Sequence, residues 1–323
     1  MKRLLFCVAA VGGLIGAGFA RADEAATSVP FRVGKKKAVV LPVKVADSVD
    51  AEFQLNTGLG FNVISPALAQ KLGVEVSPDH KVKPVTGGEL NLAQARISSL
   101  TVGNVKEGEQ EVVVAEPRTF VGNDGETKVD GILSLAFLRE HPFTLDFTNN
   151  KLILENSESL RARKATGTKV ECRMADEAAV ALVSLMLKEK APDPEKPGGL
   201  AGFLSNFTGG GGSPEPPKAW VQVDTGCEPL LLDSKLMFTL KVDATGANVT
   251  ETEPTDQNGL RYRAWAGQLG KVGLSDTQLA QDKSPVVFRK LQAEGVLGQS
   301  FLSRYPAVTF DLPSSELIFS KAQ

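Results

Sequence analysis

The stretch Trp220-Val221-Gln222-Val223-Asp224-Thr225-Gly226-Cys227, with the apolar run Leu230-Leu231-Leu232 behind it, most constrains the fold. Val221 and Val223 alternate with Gln222 as in a strand that buries one face. The strand stops at Asp-Thr-Gly, where Gly226 permits a sharp turn. Such a turn leaves Asp224 at a strand end, facing a cleft. Three residues alone are a weak motif; a second copy makes them informative. Phe53-Gln54-Leu55-Asn56-Thr57-Gly58 precedes a similar apolar run, Phe61-Asn62-Val63-Ile64. Without gaps, Gln54 aligns with Gln222, Leu55 with Val223, Thr57 with Thr225 and Gly58 with Gly226. Asn56 falls where the second copy has Asp224. Ser65 and Asp233 follow the two runs and both suit a helix N-cap, with Pro66 at a first helical position.

A closing block also recurs. Asp130 to Leu138 matches Glu294 to Leu302; the strands around Asp146 and Leu152-Ile153-Leu154 match those around Asp311 and Leu317-Ile318-Phe319. Opening and closing motifs keep their order and spacing, which predicts an internal duplication with two lobes. The expected divisions are 1–22, 23–160 and 161–323, the lobes meeting in the charged stretch Asn156 to Gly167. A Pro/Gly-rich stretch, 191–218, resembles a linker in composition. Alignment of Ala179 to Leu187 with the strand from Val39 makes it an insertion in the second lobe's first hairpin instead.

Along the first lobe, strands are expected from Lys37 to Val45, Ala51 to Leu55, Ala95 to Val102 and Glu111 to Ala115. Asp47 to Asp50 reads as a turn, Pro66 to Leu72 as a helix ended by Gly73. Val85 to Leu90 reads as a hairpin tipped by Gly87 and Gly88. Phe143 to Phe147 and Lys151 to Leu154 form a hairpin turning at Asn149-Asn150.

Lys2 and Arg3, the apolar run Leu4 to Ala20 and Ala20-Arg21-Ala22 predict an export signal, cleaved before Asp23, and hence a periplasmic or extracellular protein. Cleavage leaves Cys172 and Cys227, open equally to one disulfide and to two free thiols. The formal net charge of −2 gives no electrostatic case for nucleic acid or anionic membrane as partner. His80 and His141 are far apart and the three cysteines are scattered, so no metal-ligand spacing is visible and no cofactor is expected.

These residues resemble the aspartic proteases, in particular the bacterial retropepsin-like group. Its pattern is two apolar residues, Asp-Thr/Ser-Gly, and later a hydrophobic-hydrophobic-Gly motif beside the catalytic loop. The second lobe carries both, as Val223-Asp224-Thr225-Gly226 and Val296-Leu297-Gly298; the first departs with Asn56 and Ser134. The resemblance implies an all-β fold of two pepsin-like lobes around a cleft, with Asp224 and its degenerate partner Asn56 at the catalytic position. It also implies that Thr57 and Thr225 cross-link the loops, that Gly58, Gly226 and Gly298 support them, and that Gly87 and Gly88 tip a flap over substrate. Ser134 puts a side chain where close backbone approach is expected. Cys227 is a weak candidate nucleophile, because no histidine stands near it in sequence.

The implied function is an aspartic-type endopeptidase acting on peptides or proteins. Two carboxylates about 3 Å apart share one proton and exchange roles as acid and base. Asn56 imitates the neutral partner but does not titrate, so activity is expected to be weak or lost. The alternative is a pseudoprotease that binds extended peptides in the inter-lobe cleft. A third possibility, Asp224 paired between two chains, ranks lowest because it abandons the lobe interface.

Overall fold

The computed structural model describes residues 25–82, 89–121, 127–175, 178–186, 217–254, 261–274 and 277–321. The expected export segment, the glycines Gly87 and Gly88, and residues 191–216 of the insertion lie outside the described residues. The fold is all-β, as expected, and its strands form a ten-stranded and a thirteen-stranded sheet among the described residues.

Each sheet contains the same arrangement around a Thr-Gly loop. Val49–Asn56 returns antiparallel against Val39–Val45, with Phe53 opposite Leu41. Gly131–Ser134 lies parallel to Val49–Asn56, placing Ser134 beside Asn56, and pairs on its other side with Val63–Ile64. In the second half, Lys218–Val223 returns against Ala178–Met186. Gly295–Leu297 lies between that strand and Leu230–Asp233. One strand is thus inserted between the two that flank each loop, so the loop is gripped from both sides. Gly131 and Gly295 open these inserted strands, and a Cβ at Gly295 would come within 2.7 Å of the Leu231 carbonyl oxygen. Preceding carboxylates tie in the neighbouring strand: Asp130 accepts from Glu52 N at 2.9 Å and Glu294 from Trp220 N at 2.6 Å.

Ser65 caps the helix Pro66–Leu72, accepting from Leu68 N at 3.1 Å, and Gly73 ends it in the left-handed region. Asp233 does not cap a helix. Its carboxylate accepts from Lys235 N at 3.0 Å and Leu291 N at 2.8 Å, tying two loops together, and the short helix Leu236–Thr239 starts without a side-chain cap. Ala95 to Val102 is also not one strand. The chain bends where Ala46 N donates to the Ser99 carbonyl, dividing Leu90–Ile97 from Leu100–Val102. The turn near Asp47 is earlier and tighter than expected, with Ala46 and Asp47 at positive φ and Val49 already in the strand.

The halves join through an antiparallel set of six strands, three from each. At its middle, Phe143–Asp146 pairs with Ala307–Asp311. The Phe143 and Phe310 rings stack at 4.7 Å, and the Thr144 and Thr309 hydroxyls meet at 2.6 Å. The apolar core runs continuously through this junction, from Phe53 and Phe137 to Phe310 and Phe319. The charged stretch Asn156 to Gly167 is a helix, Ser157–Thr166, with Asn156 and Ser159 forming a reciprocal N-terminal box. Its cations answer carboxylates on or beside the joining sheet. Arg163 meets Glu155 at 3.1 Å, and Lys164 meets Asp311 at 2.5 Å and Glu316 at 2.9 Å. The Asp311 carboxylate holds the Lys164 ammonium above its ordinary pKa.

Candidate functional site

The two Thr-Gly loops meet, and their threonines cross-link them. Thr57 Oγ1 donates to the Val223 carbonyl at 2.7 Å, and Thr225 Oγ1 donates to the Leu55 carbonyl at 3.1 Å. Each hydroxyl accepts from the opposite backbone: Thr225 N donates to Thr57 Oγ1 at 3.0 Å, Thr57 N to Thr225 Oγ1 at 3.1 Å. Both side chains are fully buried, so four bonds shielded from water lock the loops in register.

This grip sets Asn56 and Asp224 against one another's loops. A Cβ on Gly58 would strike the Asp224 carboxylate, and one on Gly226 would strike the Asn56 amide. The glycines are therefore required by close approach. Gly58 N donates to both Asn56 Oδ1 at 2.9 Å and Asp224 Oδ1 at 3.2 Å, while Gly226 N donates to Asp224 Oδ1 at 2.6 Å.

Gly298 packs closely against the second loop. A Cβ there would lie 2.5 Å from the carbonyl oxygens of Cys227 and Pro229. The following amides hold the same loop, Gln299 N on Cys227 O at 2.7 Å and Ser300 N on Glu228 O at 2.8 Å. Ser134, in the matching place, does not disrupt the first loop. Its hydroxyl donates to Asn62 Oδ1 at 3.1 Å and accepts from Ala136 N at 3.1 Å, capping Leu135–Leu138. Asn62 also accepts from Ser134 N and passes its own N–H to Gln110 at 2.7 Å. The second half has Leu230 where the first has Asn62, so Ser134 with Asn62 replaces Gly298 with Leu230 as a pair. Asn62 was missed from sequence; the signal was one amide inside an apolar run.

Burial pushes the Asp224 carboxyl up to about 6, against the Gly226 and Gly58 N–H groups, which favour the anion. Cys227 follows Gly226 in the second loop. Burial and the neighbouring Asp224 charge push its thiol well up, and Sγ donates to the Pro229 carbonyl. Cys172 is buried in another strand, its thiol raised to about 12 by burial, and both cysteines are free. His141 is paired with Glu107 at 2.9 Å.

The raised Asp224 pKa has a sign. Between the ordinary carboxylate value and about 6, the folded chain holds a proton that the unfolded chain has released, so stability falls as pH rises through that window. Asp224→Asn is expected to stabilise the chain by about 3 kcal/mol at pH 8 and by little at pH 4. Thermal melts at the two pH values check this; an equal gain at both would mean that Asp224 is not the titrating group.

Residues 41–137 match the aspartyl protease family. That region is aspartic-protease-like. It contains Asn56-Thr57-Gly58 and Ser134, whereas Asp224 lies beyond it. None of the curated proteins matches the chain. Two basic 7S globulins share the fold. Soybean basic 7S globulin is 11% identical, with TM-score 0.52, covering 93% of this chain and 95% of that one. Lupine conglutin gamma, a basic 7S globulin, is 11% identical, with TM-score 0.50, covering 92% and 95%. A retropepsin-like aspartic protease from Rickettsia conorii is 17% identical, with TM-score 0.31, covering 40% of this chain and 90% of that one. The fold shared with the two globulins thus spans both halves of the chain, whereas the family match covers part of the first.

Proposed function

We propose that this is an exported, internally duplicated protein of the aspartic endopeptidase class, which holds extended peptides between its lobes and hydrolyses them weakly. The observation that carries the reading is Asn56 set against Asp224 across the threonine cross-link. Asp224, ionised above about pH 6, takes a proton from a water bound between the loops. Asn56 offers amide donors toward the same space but no proton to exchange. Half of the acid–base cycle is missing, which costs about 10²–10⁴-fold. Cys227, Thr57 and Thr225 supply no replacement, since the thiol stays protonated and both hydroxyls are spent on the opposite loop.

The test is incubation of the chain from Asp23 onward with a mixed peptide library from about pH 3 to 8, beside an Asp224→Ala variant. Slow cleavage that rises through about pH 6 and vanishes in Asp224→Ala is the expected result. Cleavage that survives in Asp224→Ala would sink the mechanism. A second reading, a pseudoprotease that only binds peptides, is favoured by the fixed Asn56 amide, which accepts from Gly58 N as a structural bond would. It predicts peptide binding with no products at any pH.

A further inference from the structure

Beside the first Thr-Gly loop lies an open pocket of about 80 Å³ lined by Gly60, Leu135, Ala136 and Arg139. A single water needs roughly 10–15 Å³ of such space, so the pocket has room for a group the size of a carboxylate. Leu135 N donates to the Leu59 carbonyl at 3.3 Å, which places the pocket against the loop that carries Asn56. Among the described residues, Arg139 is the one charged residue in its lining. Its Nε stands 3.4 Å from Glu140, but with the two side chains 51% and 78% exposed that pair is weak in water and yields readily to a better acceptor.

The second half carries a cation at the corresponding place. Ser134 lies beside Asn56 and Leu297 beside Val223, so Gly298 corresponds to Ser134. Counting on, Ser303 corresponds to Arg139, and each closes the short helix that follows its inserted strand. Ser303 Oγ accepts from Lys37 Nζ at 3.0 Å, reached across from the start of the first half. The adjacent Lys36 is close enough for its charge to act on Cys227 in the second loop. Lys36 and Lys37 hold φ values of 49° and 60°, a left-handed backbone that costs non-glycine residues of order 1 kcal/mol or more. A strained basic turn is thus held against the second loop, and Arg139 stands by the first, in a chain whose net charge is −2.

We propose that the Arg139 pocket is a subsite for a side-chain carboxylate of a bound peptide, with Lys36 and Lys37 forming a second positive position on the far side of the Asn56–Asp224 centre. The ligand class is then an extended acidic peptide. This rests on the reading that the inter-lobe cleft holds peptides.

The test uses the mature chain and fluorescein-labelled decapeptides of neutral residues in which one Glu, or one Gln, is moved along the peptide, read by fluorescence anisotropy. At one register Glu should bind roughly tenfold tighter than Gln, the advantage should shrink with added salt, and Arg139→Gln should remove it. Lys36→Gln should remove a Glu preference at a different register. Arg139 is a surface residue, and an unchanged melting temperature of its variant checks that the fold is kept. Equal binding of Glu and Gln peptides at every register, or a preference that survives Arg139→Gln, overturns the subsite alone. Failure of both series to bind overturns the peptide reading and the subsite with it.

Discussion

Asn56→Asp should raise peptide hydrolysis by about 10²–10⁴-fold, and the gain should disappear when Asp224→Ala is added. The exchange is isosteric, and the Asn56 side chain already lies over Gly226, with Asp224 lying over Gly58. Two carboxylates in those places cannot both ionise, so they share one proton and can act as base and acid in turn. The pH profile should change with the rate. With Asp224 alone as base, activity rises through about pH 6; with a coupled pair it becomes bell-shaped, reporting two apparent pKa values that belong to the pair. The measurement is kcat/KM against one peptide substrate across that range for the natural chain, the single variant and the double. A folded Asn56→Asp chain with no gain would overturn the view that one missing carboxylate limits the chemistry.

Lys164→Met should destabilise the chain by about 3–5 kcal/mol, the cost of stranding a buried carboxylate. Asp311 is 1% exposed, and Lys164 is its ion-pair partner at 2.5 Å. The pair lies on the sheet that joins the lobes, so the loss should appear as weakened coupling between them. Lys164→Met with Asp311→Leu should recover much of the stability, because the buried Asp311 charge goes with its partner and the half-buried Glu316 keeps Lys169 at 3.7 Å. Arg96→Ala, which removes a pair whose side chains are 61% and 63% exposed, should change little. Urea unfolding of these variants measures the differences. A Lys164→Met chain as stable as the natural one would show that water already satisfies the Asp311 carboxylate.

The local elements were legible because their signals are local. Ser65, Pro66 and Gly73 bounded a helix, alternation bounded the strands, and Asn149-Asn150 marked a turn that Asn150 makes at positive φ. Asp233 misled because the same carboxylate that suits a helix cap also suits a loop-to-loop tie, and the choice belonged to Leu291, far along the chain. The helix Ser157–Thr166 was hidden by its low apolar content; it is held by charges that meet partners on a sheet, which no periodicity reports.

Read along its length, the chain already shows two related Thr-Gly loops, one carrying Asp224 and the other Asn56, because a repeat is legible without folding; the all-β fold of two lobes came with the resemblance those motifs carry. Tertiary packing alone supplied the partners of the Thr57 and Thr225 hydroxyls, the Asn62 amide that takes up Ser134, and the burial that raises Asp224 to about 6. The threonine and aspartate contacts join residues some 166 positions apart, and burial, which sets the cost of a charge, is defined only once such distant parts have packed together.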